Sequence, residues 1–169
     1  MHKISLYLAC AAAFGAIPLH AQDVCKDAVL KQLKNSRDFT LKVAEAMPDA
    51  DYAYKLTPAQ MSFADQIVHL SQGLTYFLSA FTGEKPNPPK PASKNKSDVI
   101  AFARSAFDQA ISKVSELTPE QISKQYSGEG KSMSGAGLLI ALLEHNAHHR
   151  ASAEMYLRVK GITPPEYQF

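Results

Sequence analysis

At 169 residues the chain is long enough for one domain with a hydrophobic core, and a formal net charge of +2 gives no basic surface for nucleic acid. Tryptophan is absent, so Phe, Tyr, Leu, Ile and Ala must fill the interior. There are only two cysteines, one of them at position 10 near the start, which excludes a disulfide scaffold.

The first 21 residues, "MHKISLYLACAAAFGAIPLHA", read as an export signal. Lys3 precedes an apolar run from Ile4 to Ile17, and Pro18 and a small residue, Ala21, follow it. The run is too short for a comfortable membrane span. Cleavage after Ala21 gives a mature chain from Gln22 in the periplasm or medium, with no stable membrane span. Leu19 is larger than usual for its place before the cut. Cys25 then stands alone and cannot form an internal disulfide.

The mature chain, residues 22–169, reads as four helices with no convincing strand. The first runs from about Asp23 to Met47, carries Val24, Ala28, Leu33, Leu41 and Val43, and stops before Pro48. The second opens on Ser62 as N-cap, with Asp65 three residues on completing a capping arrangement. Phe63, Ile67, Leu70, Leu74, Phe77, Leu78 and Phe81 recur at helical spacing, and Gly83 stops it.

The next segment, "TGEKPNPPKPASKNK", holds four prolines and four lysines. It suits an extended path of about 3.1 Å per residue, so it can reach about 40 Å. A 20-residue helix is only about 30 Å long. The linker can therefore return along a whole helix and let helices two and three run parallel, giving an all-α four-helix bundle. The third helix begins at Ser97-Asp98, carries Val99, Phe102, Ala103, Ala106, Ala110, Val114 and Leu117, and closes at Thr118-Pro119. The fourth runs from near Ser134 to Gly161, and "ITPPEYQF" is an extended tail.

Beyond the leader four histidines remain: His69, His145, His148 and His149. On the fourth helix Leu138, Leu142, His145, His149, Ser152 and Tyr156 follow steps of four and three, the pattern of a core seam. His145 and His149 are then stacked one turn apart on an inward face. Two neutral imidazoles so placed can grip one cation. His148 falls about 100° away, with Glu144 on its row. His69, beside the apolar stripe of helix two, is the remaining histidine for a third ligand. Gly73 is placed to make room near it, and Asp65 to orient its ring. Three imidazoles would leave an open position for water or substrate, the pattern of a catalytic zinc site. The alternatives are a hydrogen-bonded polar cluster and a surface cluster. The cost of burying two imidazoles unpaired favours the metal.

With these residues in hand, "EHNAHHR" followed by "LRVKGITPPEY" resembles the closing helix of DinB-like proteins. This family includes bacterial thiol S-transferases. The stretch "TPAQMSFADQIVHLSQGLTYFLSAFTG" resembles the family's second helix. The resemblance implies a divalent metal held by a histidine of helix two and an H-x-x-x-H-R pair on the last long helix. These correspond to His69, His145, His149 and Arg150. It also implies a bundle with helices two and three parallel, and often a homodimer. The sequence departs from the family's frequent H-R-G-Q, reading His149-Arg150-Ala151-Ser152. Its leader is a second departure, since the thiol-transfer members work in the cytosol.

Three functions follow as expectations. One is a metal-dependent hydrolase or thiol transferase of a small molecule, using zinc, nickel or iron(II). Another is a non-catalytic bundle that binds metal or ligand. The last is a structural bundle without metal.

Overall fold

The computed structural model describes residues 20–128 and 131–167. In chain order the elements are α1 (His20–Ala46), a 3-10 turn (Asp49–Asp51), α2 (Phe63–Thr82), α3 (Lys96–Glu116), α4 (Pro119–Ser123), β1 (Gln125–Gly128), β2 (Lys131–Ser134) and α5 (Gly135–Val159). The leader expected over residues 1–21 lies, but for its last two residues, outside the described part. α1 begins at His20 and so crosses the expected cut.

The expected caps form. Ser62 Oγ accepts from the Asp65 backbone N–H at 3.1 Å, and the Asp65 carboxylate accepts from the Ser62 backbone N–H and hydroxyl. Gly83 ends α2 at φ 73°, a left-handed conformation that costs glycine nothing. α5 starts on Ser134, whose hydroxyl accepts from Gly137 N–H at 3.1 Å.

The linker does return along α2. Gln72 Nε2 donates to Pro89 O at 2.9 Å, and Lys94 pairs with Asp65 at 2.6 Å. The start of α3 therefore lies beside the start of α2, and the two helices run parallel. Lys96 Nζ donates to the carbonyls of Glu45 and Met47, so α1 ends where α3 begins. Tyr156 donates its hydroxyl to the Met61 carbonyl, which places the end of α5 at the start of α2. The main helices thus form two parallel pairs packed antiparallel to one another.

Three expectations need correction. Thr118-Pro119 does not simply close a helix: Thr118 caps α4, with Pro119 in its first turn and Gln121 completing a capping box. The segment after it forms a short antiparallel hairpin, with Tyr126 opposite Met133, where no strand was expected. Alternation over four residues is too short to stand out in the sequence. Tertiary contact fixes the hairpin instead: the Tyr126 ring packs edge-on against Phe81 at 5.0 Å. Ala28, expected among the apolar positions of α1, is exposed.

The core has two halves. One holds Phe39, Met47, Tyr52, Phe63, Ile67 and Tyr156; the other holds Leu33, Leu74, Phe107, Val114, Leu139 and Leu142. Between them, at mid-height, lie buried polar side chains: Ser36 of α1, Ser71 of α2, and Asn146 and Arg150 of α5. The functional residues stand at this polar waist.

Candidate metal centre

α2 and α5 are antiparallel neighbours, which brings His69 to the level of His145 and His149. One nitrogen from each ring lies within 4.8 Å of the corresponding nitrogens of the other two. His69 Nε2 and His145 Nε2 are 3.4 Å apart. Ring centroids are 5.2 Å apart for His69 and His145, 4.5 Å for His69 and His149, and 4.6 Å for His145 and His149. Two nitrogens bound to one tetrahedral ion through bonds of about 2.0–2.1 Å stand about 3.3 Å apart. The first pair already has that spacing, so the donor set fits a divalent cation.

The electrostatics fit as well. Burial pushes the His149 pKa down to about 4, and the neighbouring His145, His69 and His148 add to the effect. Burial also lowers His145, with further contributions from His69 and His148. Both rings are therefore neutral at pH 7, as metal ligation requires. His149 Nδ1 lies 2.8 Å from Gln66 Oε1. An amide oxygen only accepts, so Nδ1 carries the proton and the Nε2 lone pair is left for a cation.

The environment differs from the sequence expectation in three ways. Asp65 does not orient His69; it is held by Ser62 and Lys94, and the orienting group is Gln66, acting on His149. Gln66 gave no signal in the sequence because its partner is 83 residues away. Gly73 makes room for His145 rather than His69: a Cβ there would stand 2.3 Å from His145 Cε1 and 2.5 Å from Nδ1. The inward seam of α5 is also rotated from the expected one. Its buried residues are Gly135, Leu139, Leu142, Asn146, Arg150, Ala153, Tyr156 and Leu157, of which only Leu142 and Tyr156 belong to the expected seam, and His145 and His149 flank the stripe half-buried. His148 and Glu144 are exposed, in keeping with their expected flank positions. Tyr156 is buried and tied to Met61, so its hydroxyl is not at the centre.

Replacing Gly73 by alanine should therefore break the centre while sparing the fold. Alanine favours a helix by about 1 kcal/mol over glycine. The ring of His145 must then move, and the 3.4 Å spacing of its Nε2 from His69 Nε2 is lost. The expected result is an unchanged or slightly raised melting temperature with loss of stoichiometric metal. Full metal content in that variant would refute the role given to Gly73.

Beside the centre, the Phe77 ring packs on His145 with centroids 5.6 Å apart. Phe77 also lines a groove of about 800 Å³ between the end of α2 and the hairpin, together with Tyr76, Phe81, Tyr126, Met133 and Leu138. The groove has room for a small molecule.

Known proteins share this architecture. A family model described as the DinB family matches residues 22–169. The Bacillus subtilis (strain 168) protein YjoA, itself described as uncharacterized, is 23% identical over 145 residues, covering 83% of this chain and 94% of that one. The crystal structure of that DinB-like protein superposes with a TM-score of 0.70 at 21% identity, over 83% of this chain and 97% of the other. A DinB-like protein from Bacillus cereus ATCC 10987 superposes with a TM-score of 0.73 at 18% identity, over 84% of this chain and 97% of the other.

Proposed function

The chain belongs to the DinB family, and on that footing we propose that it is an exported metal-dependent enzyme acting on a small molecule at a centre made by His69, His145 and His149. The observation that carries this reading is the convergence of three imidazole nitrogens within 4.8 Å, two of them 3.4 Å apart. A divalent ion held there, zinc ahead of nickel or iron(II), would supply Lewis acidity undiminished by its neutral ligands, which suits a thiolate donor or the polarisation of a neutral ester carbonyl. The protein's own part is positioning. Gln66 fixes the tautomer of His149, Gly73 and Phe77 seat His145, and the groove beyond Phe77 offers an apolar wall. The order of residues 1–21, with Lys3 before the apolar run from Ile4 to Ile17 and Ala21 at its end, supports export.

A second reading, a bundle that binds metal without turnover, is favoured by one observation. The carboxylates and phenol nearest in the chain supply no general base: Glu144 is exposed on the flank of α5, Asp65 is held by Ser62 and Lys94, and Tyr156 is tied to Met61.

The test uses the mature chain from Gln22, purified without a histidine tag. Elemental analysis is expected to give one divalent ion per chain. The loaded protein is then assayed against panels of thiol-acceptor and ester substrates. Turnover that disappears on chelation and returns with metal supports the enzyme. Stoichiometric metal with no turnover supports the second reading, and a metal-free protein that takes up no added ion defeats both.

A further inference from the structure

The groove between the end of α2 and the hairpin lies on the same faces of α2 and α5 as the histidines. On α5, Leu138 of the groove precedes His145 by two helical turns, and on α2, Tyr76 follows His69 by two turns. Two turns are about 10 Å along a helix and return to nearly the same face. Because the two helices are antiparallel, both steps lead from the centre toward the hairpin. Phe77 joins the two places, since its ring packs on His145 at 5.6 Å and also lines the groove.

The lining fits a flat, uncharged ring. Tyr76 is 44% and Met133 39% exposed, so apolar side chains of both walls stand in water until something covers them. Phe77, Phe81 and Tyr126 add aromatic faces, and the Met133 thioether favours an aromatic partner. Gly137 leaves room for Met133, because a Cβ there would stand 2.6 Å from Met133 Cγ. Three hydroxyls of the groove already donate to backbone carbonyls: Ser79 to Tyr76, Thr82 to Ser79, and Tyr126 to Gln121. Lys124 and Glu84, which also line it, carry opposite charges, and Lys124 Nζ lies 5.4 Å from the centre of the Tyr126 ring. The groove thus favours an aryl group over a sugar or a phosphate.

We propose that this groove seats an aryl group of the substrate, joined by a short aliphatic chain to the group that reaches the metal. This substrate class, a compound with an uncharged aryl-alkyl body, rests on the metal-dependent reading of the histidine centre. It makes Phe77 the wall past which the chain runs.

Protein spanning residues 22–169 is loaded with cobalt(II), whose uptake is read by elemental analysis and whose charge-transfer absorption reports thiolate ligation. Butanethiol and 4-phenylbutanethiol are titrated in, so that the phenyl ring is the one difference. The phenyl compound is expected to bind about 10–100-fold more tightly, the effect of burying an aromatic ring. Met133→Glu places a charge on one wall and should remove most of that advantage. Tyr76→Ala trims the other wall and should remove part of it. Butanethiol affinity should not change in either variant, and both positions are exposed, so neither change should unfold the bundle. Equal affinities of the two thiols, or no ligation by either at millimolar concentration, overturn the aryl site and leave the metal reading standing, because cobalt uptake is read separately. A full phenyl advantage in Met133→Glu overturns it as well, since the ring then binds elsewhere. An advantage that vanishes as protein concentration rises means that a second copy covers the groove, and also overturns it. Protein that takes up no cobalt defeats the metal reading and this substrate class together.

Discussion

Protein spanning residues 22–169 and carrying His149→Ala should retain no stoichiometric divalent ion after dialysis, whereas Gln66→Leu should retain it with affinity lower by about 10–100-fold. The two variants separate direct ligation from support. His149 contributes one of the three convergent nitrogens. Removing it leaves two imidazoles, which hold a cation far more weakly than three. Gln66 touches only the far nitrogen, Nδ1 at 2.8 Å, and sets which tautomer is present. Leucine matches its size but cannot accept the hydrogen bond, so the ring can turn or change tautomer. Both variants should stay folded, because the core halves above and below the waist are untouched. Metal content is read by elemental analysis and affinity by competition with a chromophoric chelator. A His149→Ala protein that keeps one ion per chain would place the metal elsewhere. Equal losses in the two variants would mean that Gln66 does more than orient a ring.

Acidification from pH 7 to pH 4 should destabilise the metal-free protein, by about 1–2 kcal/mol from His149 once solvent screening of this half-buried ring is allowed for. The folded-state pKa of His149 is lowered to about 4, mainly by burial, against about 6.5 unfolded. Between these values the unfolded chain binds more protons than the folded one, so stability falls as pH falls through that window. Above about pH 6.5 both states are neutral and the contribution is flat. His145 is lowered in the same sense and adds to the loss. Glu154, raised by burial, titrates in the opposite sense, so the comparison is between wild type and His149→Asn. Melting temperatures from pH 7.5 to 4 should fall less steeply in the variant. Superposable curves would mean that His149 is not held neutral by the fold. Added metal should steepen the wild-type curve, since protons and cation compete for the same lone pairs.

The sequence by itself determined the four long helices and the inventory of candidate ligands. Ser62, Asp65 and Gly83 delimit α2 through local backbone chemistry, which needs no tertiary partner. The proline-rich linker has one mechanical consequence, reach, and that was enough to allow parallel α2 and α3. With His2 and His20 assigned to the expected leader, only His69 was left outside α5 as a candidate third ligand.

Only the tertiary structure decided how α5 is rotated and what surrounds its histidines. Neighbouring residues on a helix differ by about 100°, and α5 carries usable apolar side chains on two adjacent stripes, through Leu138 and through Leu139. Periodicity alone cannot choose between them. The choice falls to Asn146 and Arg150, polar residues that a hydrophobic pattern would place outside. Arg150 goes in because Ser36 and Phe39 of α1 hold its guanidinium, and His145 then finds space only against the missing side chain of Gly73. Such partners lie tens of residues away in the chain, and their pairing is set by which helices pack together, a global property that no local window contains.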